Sequence, residues 1–289
     1  MPISTPSIVV TGHDDFELLS QIEAEIRRRI PDDISGKLGE LVVDALEFVL
    51  DPVRTGRTKI AELDNVEKTF IGLKVEHFVR DLLDAPKGIR DLKLAGHDVD
   101  VKNTVRTPWA WMIPPETYRL EEPCLLIAAS ENTRRAAMGL IVARNEYLGA
   151  PNRDKKRGIK TGAHKDILWL ATEVPWPGDR WAGIDMARFR ELRKIKGGSK
   201  RAAQFFEENL RKPIHRSVVQ ALLFDQHDYM KRLRENKGAR DILKPRGILL
   251  LSGLYDRQVI ERLGVPPVRN NELIAVETNW AGNSNPHTA

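Results

Sequence analysis

DLKLAGHDVDVKN (91–103) is the stretch on which the reading of this 289-residue chain turns. Residues 91–94 and 98–103 read as two short strands, and Ala95-Gly96-His97 between them as a hairpin-like turn. Strand side chains point alternately to opposite faces. Val99 and Val101 therefore share one face, while Asp98, Asp100 and Lys102 share the other. A hairpin through Ala95-Gly96 carries Asp91 back toward Asp100. The pattern predicts two carboxylates and an ammonium side by side, with Asp98 competing for the same polar face.

Working outward, a helix is expected at 65–83 (NVEKTFIGLKVEHFVRDLL), capped by Asn65 and burying Leu73, Val79 and Leu83. Glu76 lies three residues from both Leu73 and Val79, at the margin of that apolar face, where a carboxylate is costly unless paired or metal-bound. Two further helices are read at 16–30 and 34–50 from apolar residues at three- and four-residue spacing, and 51–63 reads as turn-rich. Apolar runs at 124–129 and 138–143 read as deeply buried strands. Helix, hairpin, strand, strand describes an α/β core with a mixed sheet.

The tryptophan- and proline-rich segment 172–183 reads as a linker between a first domain, 1–171, and a second, 184–289. In the second, helices are expected at 184–195, 200–211, 214–223 and 226–236, then strands at 247–252 and 272–277 around a short helix at 256–263. Helices followed by two strands suit a winged helix-turn-helix. A recognition helix at 226–236 would present His227, Lys231, Arg232 and Arg234, with Arg240 following it.

Charge agrees with that division. Residues 1–170 carry 25 Lys/Arg against 27 Asp/Glu, and 171–289 carry 21 against 14. A basic half can concentrate a polyanion by releasing its condensed counterions. Cys124, the single cysteine, excludes internal disulfides and thiolate-cluster zinc sites, and its surroundings, PCLLIAA, read as core. The seven histidines show no paired ligand spacing. No apolar run approaches the ~20 residues of a membrane span. The first residues do not read as a secretory signal, so the cytoplasm is the expected compartment.

Carboxylates on adjoining strands with a lysine two residues after one of them suit phosphodiester hydrolysis. That reaction needs a hard divalent cation, an activated water and charge relief. Magnesium takes oxygen ligands, usually one or two carboxylates completed by water and substrate phosphate. Asp91, Asp100 and Glu76 are the candidate ligands, and Lys102 the group beside the metal. A solvated amphipathic strand would show the same D-x-D-x-K pattern. The basic loop 149–165 offers Arg153, Lys155, Lys156 and Arg157 for phosphate contact, and Trp109 and Trp111 read either as core or as a stacking surface.

Asp91, Asp100 and Lys102 have the spacing of a PD-(D/E)xK nuclease, and the chain resembles the NaeI type of restriction endonuclease in particular. The resemblance rests on RTGR (54–57), EKTFIG (67–72), VE (75–76), DLKLAGHDVDVK (91–102), WMIPPE (111–116), LGAPNRDKKR (148–157) and DYMKRLRENKGARDILKPRGI (228–248). It implies a homodimeric, magnesium-dependent enzyme that cuts double-stranded DNA. Its mixed-sheet nuclease domain would be followed by a catabolite-activator-like winged helix binding a second DNA copy. Glu76, Asp91, Asp100 and Lys102 fall on the family's catalytic positions. Between Lys102 and Trp111 the chain has one additional residue, in a loop where base contacts are expected. A non-catalytic DNA-binding regulator and a methylation- or mismatch-directed nicking endonuclease are the alternatives.

Overall fold

The computed structural model describes residues 5–105, 109–176, 180–181 and 183–279. The chain forms two compact units: residues 1–51 with 57–178, and residues 52–56 with 179–289.

In the first unit, α1 (Phe16–Arg29) and α2 (Ile34–Leu50) are followed, after α3 (Pro52–Thr55) of the second unit, by α4 (Asn65–Leu83). The α4 cap is Asp64 rather than Asn65. The Asp64 side chain accepts from Glu67 N–H, and Glu67 answers the Asp64 N–H in a reciprocal capping box. The buried face of α4 is Ile71, Val75, Val79 and Leu83, and Leu73 is 42% exposed, against expectation. The helix carries two apolar stripes, and the one spaced by four throughout is the one covered.

Strands β1 (Leu92–Leu94), β2 (His97–Thr104), β3 (Met112–Ile113), β4 (Pro123–Ser130), β5 (Arg135–Val142), β6 (Leu148–Pro151), β7 (Arg157–Ile159) and β8 (Leu168–Pro175) follow, with a single turn of helix, α5 (Pro115–Tyr118), before β4. They make a mixed five-stranded sheet, β1-β2-β4-β5-β8, parallel only at β2–β4, and a small sheet, β3-β7-β6. β4 is buried along its whole length because both faces are covered. Leu125, Ile127 and Ala129 join the core under the helices. Cys124, Leu126 and Ala128 join a second core with Trp109, Trp111 and Ile113. Trp111 donates its indole N–H to the Ile127 carbonyl at 2.8 Å, so both tryptophans are core residues rather than a stacking surface. Residues 172–175, read as linker from sequence, are the end of β8.

In the second unit, α6 (Met186–Arg193), α7 (Gly198–Glu208), β9 (Ile214–His215), α8 (Arg216–Leu222), α9 (Ala239–Leu243), β10 (Ile248–Ser252), α10 (Arg257–Leu263) and β11 (Glu272–Glu277) build an antiparallel sheet, β10-β11-β9, packed with helices. The helix expected at 226–236 is absent. The segment makes only the 3-10 turn Met230–Arg232, started by Asp228 accepting from Lys231 N–H. Of its apolar residues Leu233 alone is fully buried, too little to offset helix nucleation. Asn236 and Lys237, both at φ 71°, then turn the chain into α9.

Candidate active site

The turn between β1 and β2 sets the geometry. Ala95 (φ 49°) and Gly96 (φ 85°) both take left-handed backbone, as a two-residue hairpin matching the strand twist requires. Leu94 then faces His97 and Leu92 faces Val99, so the same register carries Asp91 to Asp100.

Asp91 Oδ2 accepts from the Val101 N–H at 2.6 Å, which fixes its carboxylate against β2. Asp100 is 3% exposed. Its Oδ2 accepts from the Thr117 hydroxyl at 2.6 Å, and its Oδ1 from the Lys102 ammonium. The same ammonium donates to the Val101 carbonyl at 3.1 Å and stands 3.8 Å from Asp91 Oδ2. One cation is therefore surrounded by three oxygens, from Asp91, Asp100 and Val101. Burial pushes the Asp100 carboxyl above the usual range, and the nearby Asp91 carboxyl adds to the rise. Lys102 and the Thr117 hydroxyl pull the other way. Burial works against the Lys102 ammonium, but Asp100 and then Asp91 overcome it, and the net shift is upward.

Glu76 stands partly exposed on α4, which packs against β2. A Cβ added at Gly72, one turn before it, would meet nothing within 4 Å, so that face of the helix is open. Among the described residues no set of three or more His, Cys, Asp or Glu side chains is gathered as a ligand group. The structure thus brings Asp91, Asp100 and Lys102 together, without Glu76 as a third clustered acid. Two carboxylates and a main-chain carbonyl, all hard oxygens, fit magnesium's preferences. Asp98 is occupied elsewhere: its Oδ1 accepts from Ile89 N–H at 2.6 Å, anchoring the loop before β1.

The basic residues divide. Arg153, Lys155 and Lys156 are exposed at the tip of the β6–β7 hairpin, shaped by Asn152 accepting from the N–H groups of Asp154 and Lys156. Arg157 points inward. It donates to Asn145 and to the carbonyls of Leu148 and Gly149, and its guanidinium lies 5.2 Å from the Tyr118 ring centroid. In the second unit, His227, Lys231, Arg232 and Arg234 are exposed, with Arg232 bonded to Gln226 at 2.6 Å. Arg240, at the start of α9, pairs with Asp256 at 2.9 Å. Arg216, Arg234, Arg240 and Tyr255 line a cleft of about 250 Å³, from which Tyr255 projects 78% exposed. The 103–110 loop lies partly outside the described residues, at 106–108.

Sequence reasoning missed four groups. Thr117 and Arg90 lie beside the carboxylates, Arg90 bonded to the Glu116 carbonyl and, at 2.5 Å, to Glu122. Arg216 and Tyr255 belong to the second-unit cleft. Only Tyr255 left a trace in the sequence, as an aromatic in the turn after a strand (LSGLYDR). Among the described residues no helix is long and apolar enough to cross a membrane.

The family profile described as "Restriction endonuclease NaeI" matches residues 21–289. The chain is also 30% identical over 273 residues to the type II restriction enzyme NaeI of Lentzea aerocolonigenes, spanning 91% of this chain and 83% of the relative. The matched residues contain the whole β1–β2 hairpin, its acidic pair and its lysine, and both compact units apart from the first twenty residues. The chain belongs to the NaeI family of restriction endonucleases.

Proposed function

We propose that this chain is a magnesium-dependent type II restriction endonuclease hydrolysing phosphodiester bonds in both strands of double-stranded DNA at a specific sequence. The observation that carries the reading is the three-oxygen cradle of Asp91, Asp100 and the Val101 carbonyl, filled here by Lys102's own ammonium. Like charges packed this closely in a buried place call for a cation. Asp91 and Asp100 would hold magnesium, with Glu76 reaching in from α4 as a further ligand or water-positioning group. When bound, the ion supplies Lewis-acid charge relief at the scissile phosphate. Lys102, released from the carboxylates, donates hydrogen bonds to the attacking water and to the phosphoryl oxygens as their charge grows.

The second unit is read as a winged helix-turn-helix of the catabolite-activator kind. The order α7–β9–α8–α9–β10–α10–β11 supports it, with α8 and α9 as the helix pair and the β10–β11 connection, 253–271, which contains α10, in the place of the wing. It would hold a second DNA copy that activates cleavage of the first. Arg153, Lys155 and Lys156 would touch backbone phosphate at the catalytic unit. Cutting both strands of one site with one centre per chain fits a homodimer, and the cytoplasm is the fitting compartment.

Supercoiled plasmid incubated with magnesium, calcium or chelator tests the proposal. Linear product at few positions with magnesium, and a gel shift without cutting in calcium, is the expected result. Nicks alone would replace it with the nicking reading, and binding without cleavage in any metal with the regulator. Faster cutting of two-site than of one-site plasmid is expected from activation by a second copy.

A further inference from the structure

The reading above leaves unassigned a neutral side chain that is hydrogen-bonded to the catalytic cluster. Thr117 is fully buried on α5, and its hydroxyl donates to Asp100 Oδ2 at 2.6 Å while Lys102 takes Oδ1. A carboxylate held at one oxygen can still swing about its Cβ–Cγ bond. Held at both, it presents a fixed plane and a fixed lone-pair direction. Oδ1, the oxygen on the Lys102 side, is the one free to exchange an ammonium for another cation. We propose that Thr117 is the positioning residue for Asp100, fixing the carboxylate so that Oδ1 faces the cation cradle.

The surroundings of α5 are built to hold such a residue still. A single helical turn is weak alone, yet this one is pinned on both sides of Thr117. Arg90, tied to Glu122 at 2.5 Å, also grips the Glu116 carbonyl. On the other side the Tyr118 hydroxyl donates to the Lys155 carbonyl at 3.2 Å, and the Arg157 guanidinium covers the Tyr118 ring. Behind Asp100, the parallel β2–β4 ladder pairs it with buried Cys124, leaving no polar side chain from that neighbour to do the same work. The partners of metal-ligating groups orient them, and their loss commonly costs about 10- to 100-fold in metal affinity or activity.

The inference rests on Asp100 being a ligand, so Asp100→Asn is the control for that reading, and Thr117→Val, →Ser and →Ala test the inference itself. Calcium binding to the full-length protein, followed by calorimetry, reports on the cradle without turnover. Plasmid cleavage against magnesium concentration reports on its use. Asp100→Asn should abolish both calcium binding and cleavage. Thr117→Val should weaken calcium binding and raise the magnesium needed for half-maximal cleavage by about tenfold, with DNA gel shift unchanged. Ser and Ala both lose the methyl group and differ only in the hydroxyl, so Thr117→Ser should lie within about threefold of the parent and Thr117→Ala should follow Val. Equal behaviour of Ser and Ala would overturn the positioning role, whatever the methyl contributes to folding. An Asp100→Asn enzyme that still binds calcium and cuts would instead overturn the ligand reading beneath it.

Discussion

Lys102 and Lys231 carry the same ammonium group in opposite surroundings. Lys102 lies between strands, bonded to Asp100 and the Val101 carbonyl, with a raised pKa set against its own burial. Lys231 stands exposed on a 3-10 turn, in a segment whose apolar content is too small to make a helix. The β1–β2 hairpin is rigid because its turn, register and ladder all agree. The 226–238 segment is held by Leu233, by Tyr229 and Met230 packed beside it, and by local turns. Chemistry needs its groups fixed and partly dry. Phosphate contact needs only reach and charge, which water does not abolish but salt weakens.

The contrast can be broken most severely at the hairpin. Lys102→Ala should lower cleavage by about 100- to 10,000-fold while leaving DNA binding in gel shifts intact. Undiminished cutting would remove its role. Lys231→Ala should leave the single-turnover rate at saturating DNA unchanged. Should it contact phosphate, it should lower the slope of log affinity against log salt by about one. A changed rate in place of a changed slope would erase the distinction between the two lysines.

Within the β6–β7 hairpin the same distinction can be sharpened. Arg157→Ala should cost about 1 kcal/mol of stability, since half-buried carbonyls lose a charged donor, and urea unfolding measures it. Lys156→Ala should alter salt-dependent DNA binding and leave the unfolding midpoint in place. The reverse assignment would show the inward arginine to be the DNA contact.

A last expected effect is on pH. His215 caps α8 by accepting Ser217 N–H on Nδ1, a bond that only an unprotonated Nδ1 can make. Burial, then Arg180, Arg269 and Arg216, lower its pKa from 6.5 to about 4. The folded state therefore prefers the neutral ring. The stability this gives is fully present above pH 6.5 and falls as pH drops from 6.5 toward 4. His215→Asn should flatten that decline in thermal melts, and an unchanged decline would place the titration elsewhere.

The hairpin was legible because period-two alternation and an Ala-Gly turn leave one register with Val99 and Val101 inside. Glu76's neighbourhood was misread because α4 offers two apolar stripes, one through Leu73 and one through Ile71, Val75 and Val79. Propensity does not choose between them; the sheet beneath does. The 226–236 segment shows helical spacing in Tyr229, Met230 and Leu233, but spacing says nothing of how much of each side chain finds a partner. Thr117 was invisible for a third reason. Its place over Asp100 depends on how the chain returns from β2 to its parallel neighbour β4, a long-range fact with no local signature.

The short helix α3 has a practical consequence. Its Val53 packs into the core of the second unit, Arg190 holds the Val53 and Arg54 carbonyls, and Gly56 at φ 75° would bring a Cβ to 2.8 Å from that arginine. The polypeptide thus passes from one unit to the other three times, at 51/52, 56/57 and 178/179. A nuclease fragment made by stopping translation after 178 would keep a five-residue excursion stripped of its seat. A clean excision needs a second edit, replacing 52–56 with a neutral connector.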